Sequence, residues 1–433
     1  MSKTGKLVSL LKNPAARSIG IYTVTNFFGK AASFLLLFIF TNPLYITPSE
    51  NGLLSLFSTG MLFLMPFLSM GIIQSTSTDF FKLEKEAFKN LFTTGFVMAF
   101  AVMLLSFLLL FFLRDKLAAM YGYPAMFCWL IPVITFLTFC NEQLLSLVRN
   151  NNQPGIYFKA NTFKIVLELG ISFILVVFFT WRWQGRVAGI FIAYLLTGFY
   201  GLWYFYKSGY LFGKILKRFI MAELLYAIPI ISMQVSIFCM GASDKFFLAA
   251  LTNDNNETVG IYSIAAVFAS IIIVLATALI QYIFPKIYEQ LSSIRPDYKA
   301  IKKLFIVYLI VMFAGTVIIA LLTPLAYRFF INVKYLPALG YIHILFAGYF
   351  IWAIVYFFYS FLLYFKEKRK IMLLSIFSIA CALGCNYFFI SRSGAWGAAM
   401  STLVTYGAVL IAALYVTKNY WRKFLKDEQP DAI

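Results

Sequence analysis

Acidic residues are scarce in this chain. Only 17 Asp+Glu stand among 433 residues, and charged residues of both signs make up 12%, where an ordinary soluble domain carries roughly 25%. So little charge cannot cover a chain that is 62% hydrophobic and 19% aromatic. A cytosolic enzyme and a disordered protein are thereby excluded. There is one histidine, His343, so no H-E-x-x-H helix can form. The five cysteines (Cys128, Cys140, Cys239, Cys381, Cys385) lie in apolar stretches without a C-x-x-C pair. Neither a zinc site nor a disulfide framework is expected. A Walker A sequence and a G-x-S-x-G elbow are both missing, so ATP hydrolysis and serine-hydrolase chemistry are not expected. No cofactor, metal or enzymatic activity follows from these residues.

What is present is 49 Phe and 27 Tyr, set in long apolar runs. Twelve spans are expected, at 18–41, 52–78, 90–113, 122–146, 161–181, 187–206, 222–251, 259–284, 303–330, 338–364, 369–390 and 394–416. Each reaches the roughly 20 residues that cross a bilayer core. The fold class expected is an all-α integral membrane protein. The first span is too long for a cleavable signal peptide, and no small-residue cleavage pattern follows it. In a soluble protein the net charge of +19 would suggest nucleic acid. Here most cations lie between apolar runs, and alternate segments, counted together with the cations at the adjoining span ends, hold 27 and 7 Lys+Arg. The positive-inside rule then places both termini in the cytoplasm, with an even number of spans and no nucleic-acid partner. No external loop exceeds about a dozen residues, which leaves no room for a soluble catalytic domain.

The chain repeats itself. Asn51-Gly52-Leu53-Leu54-Ser55 near the start of span two is echoed by Val259-Gly260-Ile261-Tyr262-Ser263 at span eight, an offset of 208. Ile73-Gln74 matches Ile280-Gln281 at an offset of 207. Both spans run into a Phe-x-Lys sequence, Phe80-Phe81-Lys82 and Phe284-Pro285-Lys286. The basic connector at 207–221 divides the echoes. An N-terminal lobe of six helices over 1–212 and a C-terminal lobe of six over 213–433 are expected, related by a pseudo-two-fold along the membrane normal. In transporters of this architecture the substrate site lies between the lobes.

The stretch Pro229…Ser243-Asp244-Lys245-Phe246-Phe247-Leu248…Val259-Gly260-Ile261-Tyr262-Ser263-Ile264-Ala265 resembles the seventh and eighth helices of the Wzx-type polysaccharide flippases of the MOP exporter superfamily. Thr25-Asn26-Phe27-Phe28-Gly29-Lys30 is similar to their first helix, and Gly52 to Ser55 to the entry of their second. Asn386 and Gly394-Ala395-Trp396-Gly397-Ala398-Ala399 fit their last two. The turn Thr41-Asn42-Pro43 departs from the pattern, since relatives often carry a basic residue there. The resemblance implies a flippase that translocates undecaprenyl-pyrophosphate-linked oligosaccharide repeat units across the bacterial inner membrane by alternating access, for surface polysaccharide. It implies lipid-linked oligosaccharide, membrane lipids, a polysaccharide polymerase and other assembly proteins as partners.

Polar groups inside spans are costly and mark candidate sites, by about 2.5–3.5 kcal/mol per charge on insertion scales. Lys30 shares a helix face with Thr23, Asn26 and Ser33, either as a cationic stripe that receives phosphate or as a lysine that snorkels to the interface. Asp244 and Lys245 lie deep in span seven, as a substrate contact or a structural pair. Thr138, Glu142, Ser146 and Arg149 form a second stripe, on span four. Lys164 and Glu168 are at i, i+4 and either satisfy each other or leave Glu168, like Glu142, for ion coupling. Gln74, Gln234 and Gln281 are candidate donors to sugars or glue between helices. The substrate set expected is thus Lys30, Asn26, Lys245, Asp244, Gln74, Glu142 and Arg149. Two alternatives stay open. A cation-coupled multidrug exporter of the same superfamily would use Glu142 and Glu168. A membrane glycosyltransferase or ligase would need a paired-carboxylate motif that is missing here.

Overall fold

In a bilayer core no water satisfies backbone N–H and C=O groups, so long apolar runs must close their hydrogen bonds within themselves as helices. The computed structural model of the protein describes residues 29, 32, 34, 36–252, 254–293 and 297–425, with the backbone alone at 422–425. Among the described residues there is no strand, and ten helices are long and apolar enough to cross a membrane. They are α1 (Pro48–Ser69), α3 (Lys85–Tyr121), α4 (Ala125–Asn150), α5 (Pro154–Phe173, continued by a π-helical turn, Ile174–Phe178), α6 (Arg182–Lys207), α7 (Lys217–Gly241), α9 (Glu257–Ser292), α10 (Tyr298–Phe330), α11 (Ile342–Tyr364) and α12 (Lys368–Val416). Three short helices stand beside them: α2 (Ile72–Asp79), α8 (Asp244–Leu251) and α13 (Lys418–Leu425). A 3₁₀ segment, Val333–Gly340, precedes α11.

Three expected spans are reshaped. Span 52–78 breaks into α1 and α2 where Met70 and Gly71 both take left-handed backbone, φ 43° and 73°. Span 222–251 breaks into α7 and α8 around Ala242-Ser243. Helix α12 runs for 49 residues but turns at Gly394 (φ 51°, ψ −125°), which separates the expected spans 369–390 and 394–416. With α12 divided there, eleven of the twelve expected spans have helical counterparts. The first, 18–41, lies largely outside the described residues.

The chain forms two compact units, Met1–Glu50 with Gly60–Ile231, and Asn51–Thr59 with Ser232–Ile433. The division falls within α7, later than the boundary at 212/213 expected from the repeat.

In the first unit Phe88 and Phe92, one turn apart on α3, pack with Leu144 and Val148 of α4 and Phe205 of α6. From Phe100 onward α3 instead exposes Phe100, Leu104, Leu105, Leu108 and Phe112, an apolar face that suits lipid. Thr47 and Glu50 form a reciprocal cap at the start of α1, and Arg182 grips the same carboxylate at 2.7 and 3.0 Å.

The second unit packs Phe238, Trp352, Val355, Leu374, Tyr406 and Val409. Within it, a Cβ on Gly52 would stand 2.0 Å from the Asn256 carbonyl oxygen, so this position needs glycine. One turn on, Ser263 donates to Ser55 at 2.6 Å. These two serines are the pair that the 208-residue offset equates.

Candidate functional site

Two polar clusters stand inside the membrane-spanning helices, one in each unit. In the second unit, the break between α7 and α8 puts Asp244 at the first turn of α8. Asp244 is 7% exposed. Tyr262 of α9 donates its phenolic O–H to Asp244 Oδ2 at 2.5 Å, and the Lys245 N–H donates to Oδ1 at 2.9 Å. Lys245 is half-buried, and the Asp244 carboxylate offsets its charge. Beside them Asn386 donates to Ser243 Oγ at 2.9 Å and accepts from Ser401 Oγ at 2.6 Å. Asp244, Ser243 and Asn386 thus each have a partner within this knot, as burial requires.

An aromatic train leads away from this polar knot. Tyr406 meets Tyr349 edge to face at 5.8 Å and stacks on Trp352 at 5.2 Å. Trp352 in turn meets Tyr356 at 5.2 Å. Tyr349, Trp352, Tyr356 and Tyr359 fall at helical spacing on α11. Trp352, Tyr356 and Tyr359 line one side of a cavity of about 350 Å³, with Gln281, Thr277 and Phe284 on the α9 side. Flat rings for stacking, phenolic O–H groups and one amide are the chemistry that holds a sugar face and its hydroxyls.

In the first unit, Arg186 of α6 donates to Glu168 Oε1 of α5 at 2.8 Å and to Ser172 Oγ at 2.9 Å. Gly189 lets Ser172 come this close, since a Cβ there would lie 2.2 Å from the hydroxyl. Lys164 turns to Tyr194, 3.5 Å from its hydroxyl and 5.1 Å above the ring, within the fields of Glu142 and Glu168. Two carboxylates and two cations are thus grouped on α4, α5 and α6.

The expected residues fall in unlike places. Asp244 and Lys245 sit in the second-unit cluster. Glu168 pairs with Arg186 rather than with Lys164. Glu142 and Arg149 are exposed, while Ser146 between them is buried, so their stripe does not share one environment. Gln74 is exposed on α2. Asn26 and Lys30 lie outside the described residues. Sequence reasoning passes over Tyr262, Trp352, Tyr356 and Tyr359, which no charge distinguishes. The stripe at 349, 352, 356 and 359 is the signal that would find three of them. It also reads Arg186 as a loop cation, although α6 begins at Arg182 and carries it inward.

Comparison with known proteins agrees with this architecture. A multidrug resistance MATE family transporter of the MOP superfamily, in an inward-facing conformation, superposes with a TM-score of 0.71 at 13% identity, over 90% of this chain and 95% of its own. The lipid II flippase MurJ, in an inward closed conformation, superposes with a TM-score of 0.73 at 13% identity, over 94% and 89%. An outward-facing MATE transporter follows with a TM-score of 0.61 at 13% identity, over 97% and 99%. The fold is therefore the all-α membrane fold of these MOP transporters. No curated protein matches the sequence. The profile of one family, described as "Polysaccharide biosynthesis protein", matches residues 15–292. That match takes in well over half of the sequence, including Asp244, Lys245 and the repeated Gly-x-x-Ser entries of α1 and α9, and the chain belongs to this polysaccharide biosynthesis protein family.

Proposed function

We propose that the protein flips a lipid-linked oligosaccharide, an undecaprenyl-pyrophosphate-linked repeat unit for surface polysaccharide, across the bacterial inner membrane. The observation that carries this reading is the second unit itself, where one chain of aromatic rings links the polar knot that holds a half-buried cation to an amide-bearing cavity. Pyrophosphate needs a cation and hydrogen-bond donors to leave water. Lys245 supplies one, and Lys30, which the sequence places in the first span, is the other candidate. Sugars need stacking faces and hydroxyl-matched groups, and Trp352, Tyr356, Tyr359 and Gln281 offer them. Family membership supports polysaccharide assembly, and the likeness to the lipid II flippase supports a lipid-linked cargo. The solved MATE relatives face inward in one structure and outward in another, which supports alternating access of the cavity to the two sides. The cation count supports a cytoplasmic position for both termini. A polysaccharide polymerase and other assembly proteins would receive the product outside.

Depleting the protein in its host tests this. A complete lipid-linked unit should accumulate while surface glycan falls, and Lys30→Ala and Lys245→Ala should reproduce both effects. An aromatic cavity also attracts cations, which favours drug export as the competing reading. Normal glycan with no accumulated intermediate, in a host without a second flippase, would put drug export first. Turnover of a sugar donor by the purified protein would instead make it a glycosyltransferase.

A further inference from the structure

Glu223 belongs to neither cluster. It stands in the second turn of α7 and is 2% exposed. Ser75 Oγ of α2, itself 6% exposed, lies 2.8 and 2.9 Å from the two carboxyl oxygens. The same Oγ lies 3.2 Å from the Ile72 carbonyl oxygen. A serine hydroxyl has one proton, so it cannot serve three acceptors. Were Glu223 ionised, a buried carboxylate would rest on one hydrogen bond at most, and burying a charge is tolerated only with a charged partner or a full set of donors. No such partner faces it among the described residues. The charged group that acts on it is Asp79 of α2, an anion paired with Lys82 at 3.6 Å. The other titratable neighbour is Tyr226 of α7 itself. From α4, neutral Gln143 reaches α2 at Thr76, 3.1 Å away. One proton on Glu223 resolves the count. The carboxyl O–H donates to Ser75 Oγ, and the Ser75 O–H donates to Ile72.

The contact sits beside a joint. Helix α2 begins at the left-handed pair Met70-Gly71, and a Cβ on Gly71 would meet Ile230 Cδ1 at 2.9 Å. Ile230 follows Pro229, which interrupts the α7 ladder. Helix α7 therefore packs on the α1–α2 joint through Ala227, Ile230 and Ile231, and reaches α2 through Glu223 about one turn before the first of them.

We propose that Glu223 is a proton-binding site that couples transport to proton flow. Protonated, it latches the first turns of α7 to α2. When the proton passes to water, the carboxylate is expelled from its apolar contact, and α7 swings about Pro229 away from Ser75. The coupling half rests on the transport reading above, while the proton on Glu223 does not.

Infrared difference spectra of the reconstituted full-length protein test the proton. At neutral pH the wild type should show a protonated-carboxyl C=O band that is lost in Glu223→Gln. Should that variant fail to reach the membrane, Ser75→Ala, which removes only the partner, should shift the band. Wild-type and variant spectra that superimpose would overturn the site. The coupling is tested in proteoliposomes carrying an undecaprenyl-pyrophosphate-linked oligosaccharide. An imposed pH gradient should change the wild-type flipping rate severalfold and leave that of Glu223→Gln unchanged. A wild-type rate set by a sodium gradient and blind to pH would overturn the coupling. Protein that flips nothing under any gradient yet keeps the infrared band would overturn the transport reading and leave the proton site standing.

Discussion

Removing one phenolic oxygen at Tyr262 takes the 2.5 Å donor from a carboxylate that is 7% exposed. A buried group left without its partner costs roughly 1–3 kcal/mol. Tyr262→Phe should therefore lower the melting temperature of the detergent-purified protein. Asp244→Asn in that background should cost less than it does alone, because the Tyr262 bond is already gone and only the Lys245 interaction remains to be lost. Fully additive losses would show that the two do not interact. At Glu168 and Arg186 the same logic concerns an ion pair, 2.8 Å long, with each side chain 18% exposed. Glu168→Ala should cost more than the double variant Glu168→Ala with Arg186→Ala, since the single change strands a guanidinium among helices. Melting temperatures of the singles and the double decide it, and a double variant weaker than both singles combined would count against the pair. Charges are legible in an apolar sequence, so Asp244, Lys245 and Glu168 stand out from their runs. Their partners are less so. Tyr262 is one of 27 tyrosines, and Arg186 sits where a loop cation would sit, because hydropathy ends a span before the helix ends.

At the scale of elements the same cause lengthens helices. The expected span 90–113 is the apolar centre of α3, which runs for 37 residues, about 55 Å at 1.5 Å per residue. Backbone hydrogen bonds continue past the hydrocarbon, where charged residues such as Lys85, Glu86, Arg114, Asp115 and Lys116 bring the hydropathy down. Breaks are harder still to read, since Met70 carries no turn signal although Gly71 does. Gly394 is the exception. Its φ of 51° with ψ of −125° lies where only glycine is at ease, and three residues on a Cβ at Gly397 would stand 2.0 Å from the Phe389 oxygen. Gly394→Ala should cost about 1–3 kcal/mol of backbone strain, and Gly397→Ala should cost more because backbone must move. Both are read as loss of protein from the membrane fraction. The connector before α12 makes a pH prediction. Glu367 accepts from Lys370 at 2.7 Å and from the Tyr420 hydroxyl of α13, and Tyr420 stacks on Phe365 at 4.4 Å. The Lys370 bond first, then the Tyr420 bond, hold its carboxyl below the ordinary glutamate range. A depressed carboxyl stabilises fully above its unfolded value, about 4.3, and that contribution is lost as pH falls through the lower folded value. Hydrogen exchange in α13 should therefore rise below about pH 4.3 in the wild type, and Glu367→Gln should show the faster exchange already at neutral pH.

For the whole molecule, the sequence carries the class of fold more plainly than the site. Apolar runs, a split of 27 to 7 cations and an offset of 208 residues are collective signals, each summed over many positions, and no single packing detail can reverse them. The offset even names a contact, since Ser55 and Ser263 meet at 2.6 Å. The same cation split predicts an orientation, with both termini in the cytoplasm, and orientation is open to a direct measurement. Asp115, in the sparse segment after the third span, has a side chain that is 91% exposed. Phe212, in the cation-rich connector between α6 and α7, is 78% exposed. Cysteines placed at these two points should report opposite faces. Asp115→Cys should react with a membrane-impermeant maleimide on intact spheroplasts, and Phe212→Cys only after the membrane is opened. The native background is low, because Cys128, Cys140 and Cys239 are buried and Cys381 and Cys385 half-buried. Reaction of both probes from one side would mean that an even number of passes separates the two points, where the cation count requires an odd one. Reaction in the reversed order would invert the chain, bring the cation-rich segments outside and send the proposed cargo the wrong way for assembly at the cell surface.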